Sequence, residues 1–191
     1  MAIQTIDDHS LAESLFEVFR SRGYEGATLS LLSEVTGLKK SSLYHRFPAG
    51  KDDMVKAVVL HVSALFHEQI IKPLQNNEQN PKKRFSKMTA TVQEFYCDGR
   101  KSCLLNVLSL GESKVEIKNL LNKDYHDWLA ALIKLGKEAG LSQSNAIERS
   151  EHFLIVVQGA LVIQRLTNNN LTFKKSMEYE NKQFFKSCTD L

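Results

Sequence analysis

Residues 39–51 read KKSSLYHRFPAGK, a stretch with four cations (Lys39, Lys40, Arg46, Lys51), two adjacent hydroxyls, a tyrosine beside a histidine, and no carboxylate. So much donor chemistry on one short segment points to an anionic partner, and the segments around it decide which. Upstream, Leu11, Ala12, Leu15, Phe16, Val18 and Phe19 recur at spacings of three and four, the pattern of a helix with one apolar stripe. That helix is expected to stop at Arg22-Gly23. Thr28 is placed to cap a second short helix carrying Leu31, Leu32 and Val35, which ends at Gly37. The quoted stretch then supplies a third, with Ser41 and Ser42 early and Leu43 and Tyr44 following.

Two short helices around a turn glycine, with a third behind, are the layout of a helix-turn-helix, whose second helix lies in the DNA major groove. Gly37 suits such a turn because glycine adopts positive φ without a Cβ penalty. The segment from Lys39 to Arg46 is then the recognition helix. Lysines near its start reach guanine edges or phosphates, short hydroxyls let it sit deep, and Tyr44 and His45 add donors. Thr28 and Lys51, each near a helix start, are expected to hold phosphates. The expected DNA-facing set is therefore Thr28, Lys39, Lys40, Ser41, Ser42, Tyr44, His45 and Lys51. Leu43 and Phe47, four apart, are expected to anchor the helix in the core. The competing readings are an ordinary solvated basic face and a helical interaction module that keeps the head as a scaffold for a protein partner.

On these residues the chain resembles the TetR-type bacterial transcriptional regulators. The likeness runs through Phe16, Gly23-Tyr24, Ala27-Thr28, Leu32, Gly37-Leu38, Leu43-Tyr44-His45-Arg46-Phe47 and Lys51, covering about the first 55 residues. The run Leu-Tyr-His-x-Phe-Pro-x-Gly-Lys, with Ser102-Cys103-Leu104-Leu105-Asn106 further on, looks like the branch of multidrug and flavonoid-response regulators. Val35-Thr36 stands where that family commonly has a small alanine pair, and Lys39 where a capping serine often opens the helix. Arg46 stands where a histidine often precedes the phenylalanine. The resemblance implies a three-helix DNA-binding head on a helical, homodimeric, ligand-binding body, acting as a repressor released from its operator by a small molecule.

The rest of the chain reads as helix throughout, so the fold class is all-α, with a head over residues 1–50 and a ligand-binding and dimerisation body over 51–191. Asp52 and Asp53 favour a helix start after Pro48-Ala49-Gly50, leading into a long linking helix through Ile71. Further helices are expected from about Lys82 to Cys97, Ser113 to Glu138, Ser144 to Leu166 and Leu171 to Phe185. The stretch Phe153–Ile163 is apolar around most of a helix. One face is expected to pack inside and the other to meet a second copy, through Phe153, Val156, Val157, Ala160, Leu161 and Gln164; burial wholly within one subunit is the alternative. Phe66, Phe95, Cys103, Asn106, Tyr125 and Trp128 mix aromatic surface with a few polar atoms and are the candidates for lining an effector site for a small apolar or aromatic molecule, although plain core packing explains each of them too.

Other classes fare poorly. With 191 residues the chain can bury roughly 70% of its unfolded surface, so it needs no disulfides. Its three cysteines, Cys97, Cys103 and Cys188, lack zinc-type spacing and suit a reducing compartment. A redox pair at 97 and 103 competes there with ordinary thiols. His61 and His67 are six apart, on opposed faces of a helix, so no metal site is expected between them. No phosphate loop or nucleophile elbow occurs, so neither an enzyme nor a cofactor is expected. Apolar runs such as Phe153–Val157 are much too short to span a bilayer, and the N-terminus lacks a leader pattern, so a cytoplasmic protein without a membrane partner is expected. The net charge of +3 is modest; its concentration in residues 39–51 is what matters.

Overall fold

A computed structural model describes residues 6–111 and 113–186, so Cys188 lies outside the described residues. The architecture is helical: α1 (Asp8–Gly26), α2 (Leu29–Thr36), α3 (Lys40–Arg46), α4 (Lys51–Phe66), α5 (Lys72–Leu74), α6 (Pro81–Phe95), α7 (Leu104–Ser109), α8 (Val115–Glu138), α9 (Gln143–Thr167) and α10 (Thr172–Gln183). Helix α1 breaks where its sequence predicts, at Gly23, whose φ of 69° is left-handed. Asp7 caps its start by accepting from Ser10 N.

The helices form two compact units. The first comprises Met1–Ala64 with Cys103–Asn122, and so reaches beyond residue 50. Its core gathers Leu15, Phe19, Leu32, Leu43, Met54, Val55 and Val58, all fully buried, with Leu108 of α7. Polar pairs from residues 114–116 return to the head: Lys114 Nζ lies 2.8 Å from Asp52 Oδ2, and Lys56 Nζ 2.6 Å from Glu116 Oε1.

The second unit comprises Leu65–Ser102 with Lys123–Leu191. Its centre is aromatic. Phe85 stacks on Phe184 and meets Phe153 edge-on, and Phe153 in turn contacts Trp128. Arg84, 5% exposed, donates to Leu74 O at 2.6 Å and pairs with Glu138, so its burial is matched by charge and hydrogen bonding.

Between α4 and α5 the chain makes a π-helical turn, His67–Ile71, in which Lys72 N–H reaches back to His67 O. The cause is Pro73, which has no N–H and whose ring would press on the carbonyl four residues earlier in a regular α-helix. The continuous helix Lys51–Leu74 is, among the described residues, long and apolar enough to cross a membrane by length and composition. Within it, Met54, Val55, Val58, Val59, Ile70, Ile71 and Leu74 are buried in the protein.

The expected dimer face needs correction. Phe153, Val157, Ala160, Leu161 and Gln164 are buried within the subunit, and Val156 is half-buried. Phe153 is taken by the aromatic centre. Gln164 bridges two backbone segments, donating from Nε2 to Asp98 O at 2.6 Å and accepting from Phe173 N at 2.8 Å. The apolar residues that α9 exposes are Ile155 (69%), Val162 (44%), Ile163 (47%) and Leu166 (76%).

Candidate nucleic-acid interface

Helix α2 starts as its sequence requires, with Thr28 Oγ1 accepting from Leu31 N at 3.3 Å. It ends at Gly37, whose φ of 68° is left-handed. Thr36, which departs from the family's small residue, fits because its hydroxyl is satisfied inside the turn: it donates to Leu32 O at 2.7 Å and accepts from Leu38 N at 3.3 Å. Ser33 Oγ donates to Leu38 O at 2.6 Å and closes the same turn from the other side. Val35 points outward. The angle between α2 and α3 is thus held by side chains as well as by the glycine.

On α3 only Leu43 is fully buried; Lys39, Lys40, Ser41, Ser42, Tyr44 and His45 are all exposed. Phe47 is half-buried, so the expected pair of anchors holds in full for Leu43 and in part for Phe47. Lys39 is the N-cap residue and makes no side-chain cap bond. Lys40 Nζ lies 2.9 Å from Ser30 Oγ, which fixes its reach along the α2 side of the surface. Arg46 has a different role from its neighbours: its guanidinium lies 3.3 Å from Asp8 Oδ1 and 3.0 Å from Ile6 O, tying the end of α3 to the start of α1.

The Pro48-Ala49-Gly50 turn sets the start of α4. Gly50, at φ 67°, is required twice, because a Cβ there would also come 3.2 Å from Tyr44 Cε1. Ala49 N donates to Asp53 Oδ2 at 2.7 Å. Lys51 Nζ then stands 4.2 Å over the Tyr24 ring, and the Tyr24 hydroxyl donates to Asp52. Burial, then the bond to Asp52 and its charge, pushes the Tyr24 hydroxyl up to about 12. The bond from Lys114, then that from Tyr24, holds the Asp52 carboxyl below its usual value. Asp52 thus accepts from two donors, and Lys51 stands over the ring of one of them.

The eight expected DNA-facing residues fall in the first unit, where Thr28 is exposed and Lys51 half-buried. The effector candidates divide. Phe66, Phe95 and Trp128 form an edge-to-face cluster in the second unit, with centroids 5.8 and 4.8 Å from Phe66, and Tyr125 is half-buried there. Cys103 and Asn106 belong to the first unit, at the cap and on the body of α7. The roles of Tyr24, Asp52 and Ser30 in this surface go beyond the sequence-based expectations. Tyr24 lies 28 positions from Asp52, beyond any local pattern.

Residues 13–58 match the family of bacterial regulatory proteins called tetR. Over 156 residues the chain is 20% identical to the HTH-type transcriptional regulator LmrA of Bacillus subtilis (strain 168), spanning 80% of this chain and 83% of that protein. Its fold is similar to that of a TetR transcriptional regulator from Legionella pneumophila, with TM-score 0.81, 17% identity, and 95% and 98% of the two chains covered. It is similar also to AibR, solved in complex with isovaleryl coenzyme A and operator DNA, with TM-score 0.68, 17% identity, and 95% and 100% covered. Residues 13–58, which build the helix-turn-helix, thus match the tetR family of bacterial regulatory proteins, and the helical fold of the chain is that of solved TetR-type regulators.

Proposed function

We propose that the protein is a cytoplasmic homodimeric repressor that a small molecule releases from its operator. The recognition helices of two subunits enter successive major grooves, with Lys39, Lys40, Ser41, Ser42, Tyr44 and His45 facing DNA and Thr28 and Lys51 holding phosphates. The observation that carries this reading is the one-sidedness of α3: Leu43 is fully buried, while the six candidate DNA-facing residues are all exposed. The Leu43-Tyr44-His45-x-Phe47-Pro48-x-Gly50-Lys51 run, with Ser102–Asn106, favours the multidrug and flavonoid-response branch. The dimer forms through the exposed α9 stripe at Ile155, Gly159, Val162 and Leu166, spaced four, three and four apart on one helical face.

The effector is a small, largely apolar or aromatic molecule bound in the second unit beside Phe66, Phe95 and Trp128. Trp128 is 5% exposed and its Nε1 has no hydrogen-bond partner among the described residues, which favours a ligand that also carries an acceptor. AibR, holding both an acyl thioester and operator DNA on this fold, supports the pairing of the two ligands. Such a ligand acts by its difference in affinity for the DNA-competent and incompetent states.

The test is a fluorescence-anisotropy titration onto DNA from beside the protein's own gene, against scrambled DNA, at two salt concentrations. Tight binding to the first alone, weakened by Tyr44→Ala, is the expected result. Equal, weak and strongly salt-dependent binding to both, unaffected by Tyr44→Ala, would sink the assignment of α3.

A further inference from the structure

His9, Glu13 and His61 meet in the first unit, on α1 and α4 rather than on α3. His9 and Glu13 are one turn apart on α1, so their side chains share a face. His61 comes from α4, forty-eight positions after Glu13, and its Nε2 lies 2.7 Å from Glu13 Oε1. The His9 ring stands 4.9 Å from the His61 ring at 86°. One donor atom from each of the three lies within 4.8 Å of the others.

We propose that these three side chains form a binding site for a divalent transition-metal ion of the zinc type, clipping α1 to α4. Two imidazole nitrogens and one carboxylate oxygen are a donor set that zinc accepts with water in its fourth position. Magnesium and calcium prefer oxygen alone. Metal–ligand distances of about 2.0–2.1 Å put tetrahedral donors about 3.3 Å apart, so side-chain rotation alone closes the present spacing. His9 is exposed and the other two are half-buried, which leaves the site open to an entering ion. The ion replaces the His61–Glu13 hydrogen bond, with both imidazoles neutral and Glu13 ionised.

The location gives the site a consequence. His9 lies in the first turn of α1, immediately after Asp8, and Asp8 and Ile6 hold Arg46 at the end of α3. An ion at His9 therefore immobilises the segment to which the recognition helix is tied.

The full chain, stripped with chelator, is titrated with Zn2+ by calorimetry and with Co2+ as a visible-absorbing probe. One ion per chain is expected, with the Co2+ bands of a four-coordinate nitrogen and oxygen site. The His9→Ala/His61→Gln protein should bind roughly 100-fold more weakly and Glu13→Gln at least about 10-fold more weakly, since even outer-shell changes cost 10–100-fold. Hydrogen exchange at residues 8–13 should slow on adding Zn2+ to the natural chain and stay unchanged in His9→Ala. His9 is exposed, so that single variant remains informative if the double variant does not fold. Undiminished Zn2+ binding by His9→Ala, or no stoichiometric ion on the natural chain, would reduce the cluster to a hydrogen-bonded pair beside a third ring and overturn the proposal.

Discussion

Lys51 Nζ stands 4.2 Å above the centre of the Tyr24 ring. The ring holds the ammonium at the start of α4 without neutralising it, so the charge remains available to a phosphate. Lys51→Ala is expected to weaken binding to all DNA sequences alike. It should also lower the slope of log affinity against log salt by about 0.9 for each phosphate that the lysine neutralises. Tyr24→Leu keeps the charge and should keep the slope, losing affinity through orientation alone. Anisotropy titrations over a salt series separate the two, and an unchanged slope in Lys51→Ala would remove that residue from the interface.

The Tyr24–Asp52–Lys114 group predicts stability changes at both ends of the pH scale. Asp52 has a lowered folded value, so its contribution is present above the unfolded value of about 4 and is lost as pH falls through the folded one. Tyr24 is raised to about 12, so its contribution is present below about 10 and lost as pH rises towards 12. Asp52→Asn should cost about 1–2 kcal/mol near neutrality, with the difference from the natural chain vanishing in acid. Ultraviolet titration should show a tyrosine ionising at about 12 whose value falls in Asp52→Asn.

The proposed dimer would use only one of the two faces of α9. Ile155→Glu with Leu166→Glu places charge on exposed apolar positions and is expected to leave the fold intact by circular dichroism while shifting sedimentation to monomer. Operator affinity should fall with the dimer. A double variant that sediments as the natural chain does would exclude this stripe as the interface.

Gln164 predicts a loss of stability. Gln164→Leu keeps the volume but leaves Asp98 O and Phe173 N without their partner, an expected cost of about 2–4 kcal/mol. Gly99→Ala should cost about 3 kcal/mol or more. Its φ is +83°, and a Cβ would lie 2.5 Å from Phe173 Cβ and 2.7 Å from Gln164 Nε2. Urea denaturation at one fixed protein concentration measures both, and a neutral Gly99→Ala would contradict the packing at this turn.

The head was legible because its signals are local. Thr28 caps the next three residues, Gly37 reports one backbone angle, and Leu43 marks the buried side of a two-turn helix. Arg46 reads in sequence as one more surface cation, because its partners lie 38 and 40 positions away. The phase of α9 was unreadable for another reason: a helix apolar around most of its circumference carries no direction until Phe85, Trp128 and Phe184 claim Phe153. Gln164 reads in sequence as part of a dimer face, yet it serves as the hydrogen-bond partner of a turn that no local pattern links to it. The His9–Glu13–His61 group is invisible in the sequence for the same reason as Arg46. The histidine nearest to His61 along the chain is His67, on an opposed helical face, whereas its partners come from α1 across the fold.

The π turn at His67–Ile71 also explains why the helix from Lys51 to Leu74 looks so apolar. A π turn takes in one extra residue, about 100° of helical phase. Counted with that residue removed, Ile70, Ile71 and Leu74 fall on the stripe of Met54, Val55, Val58 and Val59; counted straight through, Ile71 and Leu74 fall off it. The apolar positions thus follow two lines on a helical wheel, one before the π turn and one after it, and together they spread apolar residues around the wheel. A one-residue deletion within 67–71 would keep the composition while slipping the two lines into register on paper, at the cost of meeting Pro73 with an ordinary α turn.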